Sequence, residues 1–144
     1  MLWLTLGQAL AVHDAQGQLL LRLPLPAQVQ GHFPPTPAQL EQAIADIEDA
    51  LMPQLPALTD RPGPLHSRSA AANALREPAG LPPTGSQWLS RQSLEALFNR
   101  LADATHGAPL RQLGLPEALP FAAQLTAVRE LLHHAGLDGI WLQE

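Results

Sequence analysis

The sequence of 144 residues contains no cysteine, no lysine and no tyrosine. Without cysteine, disulfides, thiol nucleophiles and cysteine metal sites are excluded. All eight basic residues are arginines, scattered through a chain of formal charge −5. A nucleic-acid footprint needs a clustered basic face, so no nucleic-acid partner is expected. No apolar run approaches the ~20 residues of a membrane helix, so no membrane partner is expected either. Met1–Leu10 lacks the basic leader of a secretory signal and already reads as strand, which makes a soluble, cytoplasmic protein the default.

What is present fits one domain over residues 1–144, long enough to close a hydrophobic core. Apolar residues make up 46% of the chain, and its 15 prolines predict long, punctuated loops. The chain opens on three expected strands, Leu2–Leu6, Ala9–His13 and Gln18–Leu23, joined by Gly7-Gln8 and by Asp14-Ala15-Gln16-Gly17. The Gly-X pair suits a type II′ hairpin and the tetrad is rich in turn formers. Leu2, Leu4 and Leu6, then Leu19, Leu21 and Leu23, recur with the period of two that buries one face of a sheet.

Thr36, Pro37 and Gln39 spell a helix start with a capping box, ahead of a stripe of Leu40, Ile44, Ile47 and Leu51. Pro53 and Pro56 are expected to end that helix. Thr59–Pro64 reads as a crossing back to the sheet, Leu65–Ser67 as a short strand, Ser69–Arg76 as a short helix and Pro78–Gln87 as the most mobile loop. Ser90 caps a helix with Leu94, Leu97, Phe98 and Leu101 on one face; Pro120 opens another with Phe121, Leu125, Val128 and Leu132. Gly136 ends it, and Ile140–Leu142 is a last buried strand. This order predicts an α/β layering on a mixed sheet.

Several of these segments together resemble the exopolyphosphatase/guanosine-pentaphosphate phosphatase (Ppx/GppA) family of the actin-like ATPase superfamily (ASKHA). They are Gly17–Pro26 with Phe33–Pro37 leading into Ala38–Leu51, Ser90–Ala102, and Gly114–Glu117 followed by Phe121–Ile140. Family members have two related lobes with the active site between them, and this chain resembles the second, C-terminal lobe alone. The resemblance implies a ribonuclease-H-like/actin-like lobe with a mixed sheet of about five strands, antiparallel meander first, and packed helices.

The chemistry motifs depart from the family. At its glycine-rich phosphate loop, Asp-Ile-Gly-Gly-Gly-Ser, this chain has Thr5-Leu6-Gly7-Gln8-Ala9-Leu10. Bare glycine backbone lets N–H groups approach phosphate oxygens, and Ala9 and Leu10 remove that freedom and a hydroxyl. At the second loop, Gly-Gly-Thr-Ala in the family, it has Ser67-Arg68-Ser69-Ala70. The resemblance places degenerate phosphate-binding positions at Thr5, Gly7, Gln8, Ser67, Arg68 and Ser69. Arg68 is a cation able to meet an anion beside the Ser69 hydroxyl. The family's catalytic glutamate lies in the other lobe, and an arginine common before the penultimate helix is replaced in the Ala118-Leu119 neighbourhood. No catalytic residue, metal ligand or cofactor is therefore assigned.

Other clusters have simpler readings. His133 and His134 are adjacent on a helix and point about 100° apart, so one face cannot offer both to a metal. Asp46, Glu48 and Asp49 read as solvent-facing charge, and Asp14 beside His13 as a turn former. A Ser-His-Asp set drawn from Ser67 or Ser69, His66 and Asp60 lacks the nucleophile-elbow pattern. Trp3 and Trp141 read as sheet-packing residues; Trp88 reads as core or interface. Two functional expectations stand side by side. One is a catalytically degenerate binding, regulatory or assembly module, whose missing-lobe face is covered by homo-oligomerisation or a partner protein. The other is a binder of a phosphate-containing ligand that completes its site with a partner chain, as a phosphoanhydride hydrolase if active. That the chain is a piece of a longer protein is a third possibility.

Overall fold

The computed structural model describes residues 1–61 and 63–144, apart from the side chains at positions 28 and 119. Its strands are β1 (Leu2–Leu6), β2 (Ala9–His13), β3 (Leu19–Pro24), β4 (Leu65–Ser67), β5 (Gln87–Ser90) and β6 (Gly139–Leu142). Its α-helices are α1 (Pro37–Leu51), α2 (Ala70–Asn73), α3 (Arg91–Thr105), α4 (Leu110–Leu113) and α5 (Leu119–Ala135). Among the described residues the strands form one mixed sheet of six, in the order β3-β2-β1-β4-β6-β5. The antiparallel meander β1–β3 pairs through β1 with parallel β4, β4 pairs with parallel β6, and antiparallel β5 closes the far edge. The α/β lobe expected from sequence is what forms, with β5 as an additional strand.

Leu2, Leu4 and Leu6 are buried while Thr5 is exposed, as a one-sided sheet requires. The third strand departs from strict alternation. Val12 pairs with Leu21 but His13 pairs with Leu19, so Leu20 is an extra residue in β3. This bulge turns Leu19 outward, to 51% exposure, while Leu21 and Leu23 stay in the core. The first turn also differs from expectation. Gly7 does not adopt a positive φ, which rules out the type II′ geometry. Gly17 does, at 83°, and there the Asp14 carboxylate accepts the N–H groups of Gln16 and Gln18.

Thr36 and Gln39 form the expected reciprocal cap of α1. The prolines after it do not release the chain at once: Met52–Leu58 continues as a 3₁₀ helix with Pro56 inside. From this segment Gln54 accepts the Arg22 N–H and donates to the Arg22 carbonyl, at 2.9 and 2.8 Å. Its amide thus stands where a neighbouring strand would pair with the edge of β3. The crossing expected over Thr59–Pro64 includes Pro62, which lies outside the described residues.

Helix α5 packs against both α1 and α3 and is buried along most of its length. Burial of Phe121, Leu125, Val128, Leu131 and Leu132 stabilises the lobe by roughly 1.5–3 kcal/mol each before the entropy of ordering. The helix expected over Ser69–Arg76 is shorter, a single turn at Ala70–Asn73. Arg76 explains the change: it is buried, and its guanidinium donates to Asn73 Oδ1 and to the carbonyls of Pro82, Gly85 and Leu142. The loop that follows is therefore anchored to β6. Gly139 opens β6 because β5 runs so close that a Cβ would lie 2.5 Å from the Leu89 carbonyl oxygen.

One row crosses the sheet at a common register. His13 pairs with Trp3, Trp3 with His66, His66 with Trp141 and Trp141 with Trp88. The Trp3 and His66 rings lie 5.2 Å apart and those of Trp88 and Trp141 5.1 Å.

Candidate functional site

The β1–β2 hairpin and the β4–α2 connection, separate in sequence, meet in space. The parallel pairing of β1 with β4 ends at Trp3 and His66, after which the strands diverge. Two serine hydroxyls continue the connection. Ser67 Oγ, fully buried, donates to the Leu4 carbonyl at 2.8 Å and accepts the Ser69 N–H at 3.2 Å. Ser69 Oγ accepts the Leu6 N–H at 3.0 Å. Polar atoms at the two loops are thus spent on holding the loops together.

The hairpin tip is held from the other side by Gln124 of α5, whose amide donates to the Gly7 carbonyl at 3.1 Å. Gly7 and Gln8 are exposed, as is Thr5, which stands on the face opposite Leu4 and Leu6. A Cβ at Gly7 would meet nothing within 4 Å. No backbone requirement for glycine therefore remains there. α2 is a single turn, so it brings little of the dipole that favours anions at a helix start.

Arg68 is exposed, with its guanidinium 4.4 Å from the centre of the Trp3 ring. No carboxylate pairs with it among the described residues. Beside it, His66 Nδ1 lies 3.0 Å from the Gln143 amide nitrogen, which fits a neutral imidazole accepting that N–H. Burial lowers the His66 pKa from its ordinary value, and the nearby Met1 amino group and Arg68 add to the effect. Of the Ser-His-Asp set, Ser67 and Ser69 have hydroxyls engaged with the backbone of β1, and His66 faces Gln143 rather than either of them.

A second polar constellation lies between α1 and α5. Glu48 of α1 meets Glu130 and His134 of α5, with one ligand-type atom from each residue within 4.8 Å of the others. Glu130 is 1% exposed. Its Oε2 accepts from Arg129 at 2.9 Å, and Arg129 also grips Glu95 of α3 and lies over Phe98. Burial pushes the Glu130 carboxyl above its ordinary range; Arg129 and His134 oppose this, and Glu48 adds to it through its charge and a side-chain hydrogen bond. The sequence reading placed Glu48 with the solvated charges and passed over Glu130. The available signal was a carboxylate four residues before a histidine, within the apolar body of α5.

No protein-family model matches this sequence, and comparison with curated proteins gives no match. Solved structures do match. An exopolyphosphatase-like protein superimposes with a TM-score of 0.67 at 13% identity, covering 99% of this chain and 55% of the other. The Aquifex aeolicus Ppx/GppA phosphatase, in its type II variant, gives 0.68 at 10% identity over 99% and 52%. Another structure of the Aquifex aeolicus enzyme gives 0.65 at 9% identity over 100% and 54%. The chain spans about half the length of these solved proteins. It has the fold of a single lobe of the Ppx/GppA phosphatases.

Proposed function

We propose that this chain is a counterpart of the second Ppx/GppA lobe, that its phosphate loops have become internal architecture, and that it acts as a binding, regulatory or assembly module rather than as a hydrolase by itself. One observation supports this reading: the Ser67 and Ser69 hydroxyls, where the family has a phosphate loop, are hydrogen-bonded to the backbone of Leu4 and Leu6 in β1. A phosphate cradle needs such donors aimed outward, together with bare backbone. Incubating the full chain with polyphosphate or guanosine pentaphosphate, with phosphate release as the readout, is expected to give the buffer rate. Saturable release that is lost in Ser69→Ala would overturn the reading.

The module reading includes a covering partner, either a second copy or another protein. Among the described residues the large apolar side chains exposed by half or more are Met1, Leu19 and Met52. Such limited apolar exposure favours a polar, reversible interface over an obligate one. Sedimentation at micromolar concentration tests the homodimer form, and a monomer there removes it.

Arg68 favours a second reading, in which a phosphate-containing ligand binds near Gly7, Gln8 and Ser67–Ala70 and a partner chain completes the site. Its guanidinium is exposed and has no carboxylate partner among the described residues. Titration of the chain with inorganic phosphate and a nucleoside triphosphate, followed by amide NMR, tests it. Shifts confined to these residues and lost in Arg68→Ala would support it; unmoved spectra would count against it.

A further inference from the structure

We infer that Glu48, Glu130 and His134 form a binding site for a divalent transition metal, with zinc the best chemical fit. The first argument is unmet bonding capacity. Glu130 Oε1 and His134 Nε2 are buried atoms without a well-formed hydrogen bond among the described residues, and the side chain that lies against both is Glu48, 3.4 Å from His134 Nε2 and sharing a proton with Glu130 when no cation is bound. A buried carboxylate oxygen left without a good partner is costly, and the half-exposed Glu48 carboxylate beside it raises the cost unless a cation or proton lies between them. Arg129 holds only the other oxygen, Oε2, and leaves Oε1 unengaged.

The second argument is geometric. His134 Nε2 and Glu48 Oε1 are 3.4 Å apart, without hydrogen-bond geometry. Two ligands on a tetrahedral ion at metal–ligand distances of about 2.1 Å are separated by about 3.4 Å. Glu130 and His134 sit one turn apart on α5, so a single helix presents two donors and α1 supplies the third. Three protein ligands leave a further position for solvent. The imidazole argues against magnesium or calcium, which prefer all-oxygen sites.

Access and support are also in place. His134 lines a cleft of about 590 Å³ together with Leu58, Thr59, Trp88 and Asp138, and the Glu48 side chain, 43% exposed, opens the cluster to solvent. The Glu95–Arg129–Glu130 chain fixes one carboxylate before any ion arrives, which lowers the ordering cost of binding.

The test uses the full, tag-free chain stripped with chelator and titrated with zinc chloride at neutral pH. About one zinc per chain should survive desalting, with a rise in melting temperature that the same concentration of magnesium does not give. Glu130→Gln and, separately, His134→Gln should each weaken zinc binding by at least about tenfold while keeping the wild-type circular dichroism. His133→Gln should bind as the wild type does. Folded wild type that keeps no zinc would overturn the proposal, as would equal retention by Glu130→Gln and His134→Gln, or loss of binding in His133→Gln. Because this site is remote in sequence from Ser67 and Ser69, its failure would leave the reading of the loop junction untouched.

Discussion

Two buried polar groups of this lobe invite comparison. At the loop junction, Ser67 and Ser69 exchange hydrogen bonds with the backbone of β1, and the neutral hydroxyls replace ladder bonds that the diverging strands no longer make. Between α1 and α5, Glu48, Glu130 and His134 approach one another, and two of their buried atoms make no well-formed hydrogen bond. Both places concentrate polar atoms in an apolar setting, but only the first is closed upon itself. A satisfied polar group is explained by architecture, whereas unmet capacity points to something that is added.

The largest test of this contrast is Ser67→Ala. It leaves the Leu4 carbonyl and the Ser69 N–H without their hydroxyl partner in a fully buried place, and should cost about 1–3 kcal/mol in urea unfolding. Glu130→Gln, unfolded in the presence of chelator, should do the opposite of what its equal burial suggests. Burial and Glu48 disfavour the charged carboxyl, and Arg129 keeps Glu95 as a partner, so a neutral amide at this place should leave the midpoint unchanged or raise it. A loss comparable to that of Ser67→Ala would erase the distinction.

A smaller effect is expected from pH at His66, which faces Trp3, Arg68, Gln143 and the Met1 amino group. Its folded pKa lies below the unfolded 6.5, so the unfolded chain binds more protons between the two values. Stability from this group is present above 6.5 and is lost as pH falls from there through the folded value. The wild-type melting temperature should therefore drop more over that interval than that of His66→Gln. Gly7→Ala should change least, within about 0.5 kcal/mol, because its φ lies outside the left-handed region and space for a methyl is open. A large loss there would mean that the turn has a glycine requirement that its open surroundings do not show.

Much of the scaffold was legible where local patterns and tertiary demands agree. The period of two in β1, the capping box at Thr36 and the apolar face of α5 each state their role in a few residues. β5 was not legible, because only Leu89 of its four residues is fully buried and the strand exists through its pairing with β6. The extent of the short α2 depended on Arg76, whose four acceptors run from Asn73 in α2 itself through Pro82 and Gly85 to Leu142 of β6. At the junction, the sequence marked Ser67 and Ser69 as hydroxyls near a helix start, yet their backbone partners come from β1. The Glu48–Glu130–His134 cluster was hidden for a related reason: α1 and α5 meet only in the folded chain.

The cross-strand row of rings has an optical consequence. All three tryptophans stand on it, so the intrinsic emission of the protein samples one face of one sheet. The Trp88 and Trp141 indoles, 5.1 Å apart and inclined at 53°, are close enough to couple as an exciton pair and to leave a signed couplet in far-ultraviolet circular dichroism. Trp3, 5.2 Å from His66, is placed to be quenched when that imidazole takes up a proton. The lobe thus carries two separate built-in dyes, one reporting the β5–β6 edge and the other the charge beside Arg68.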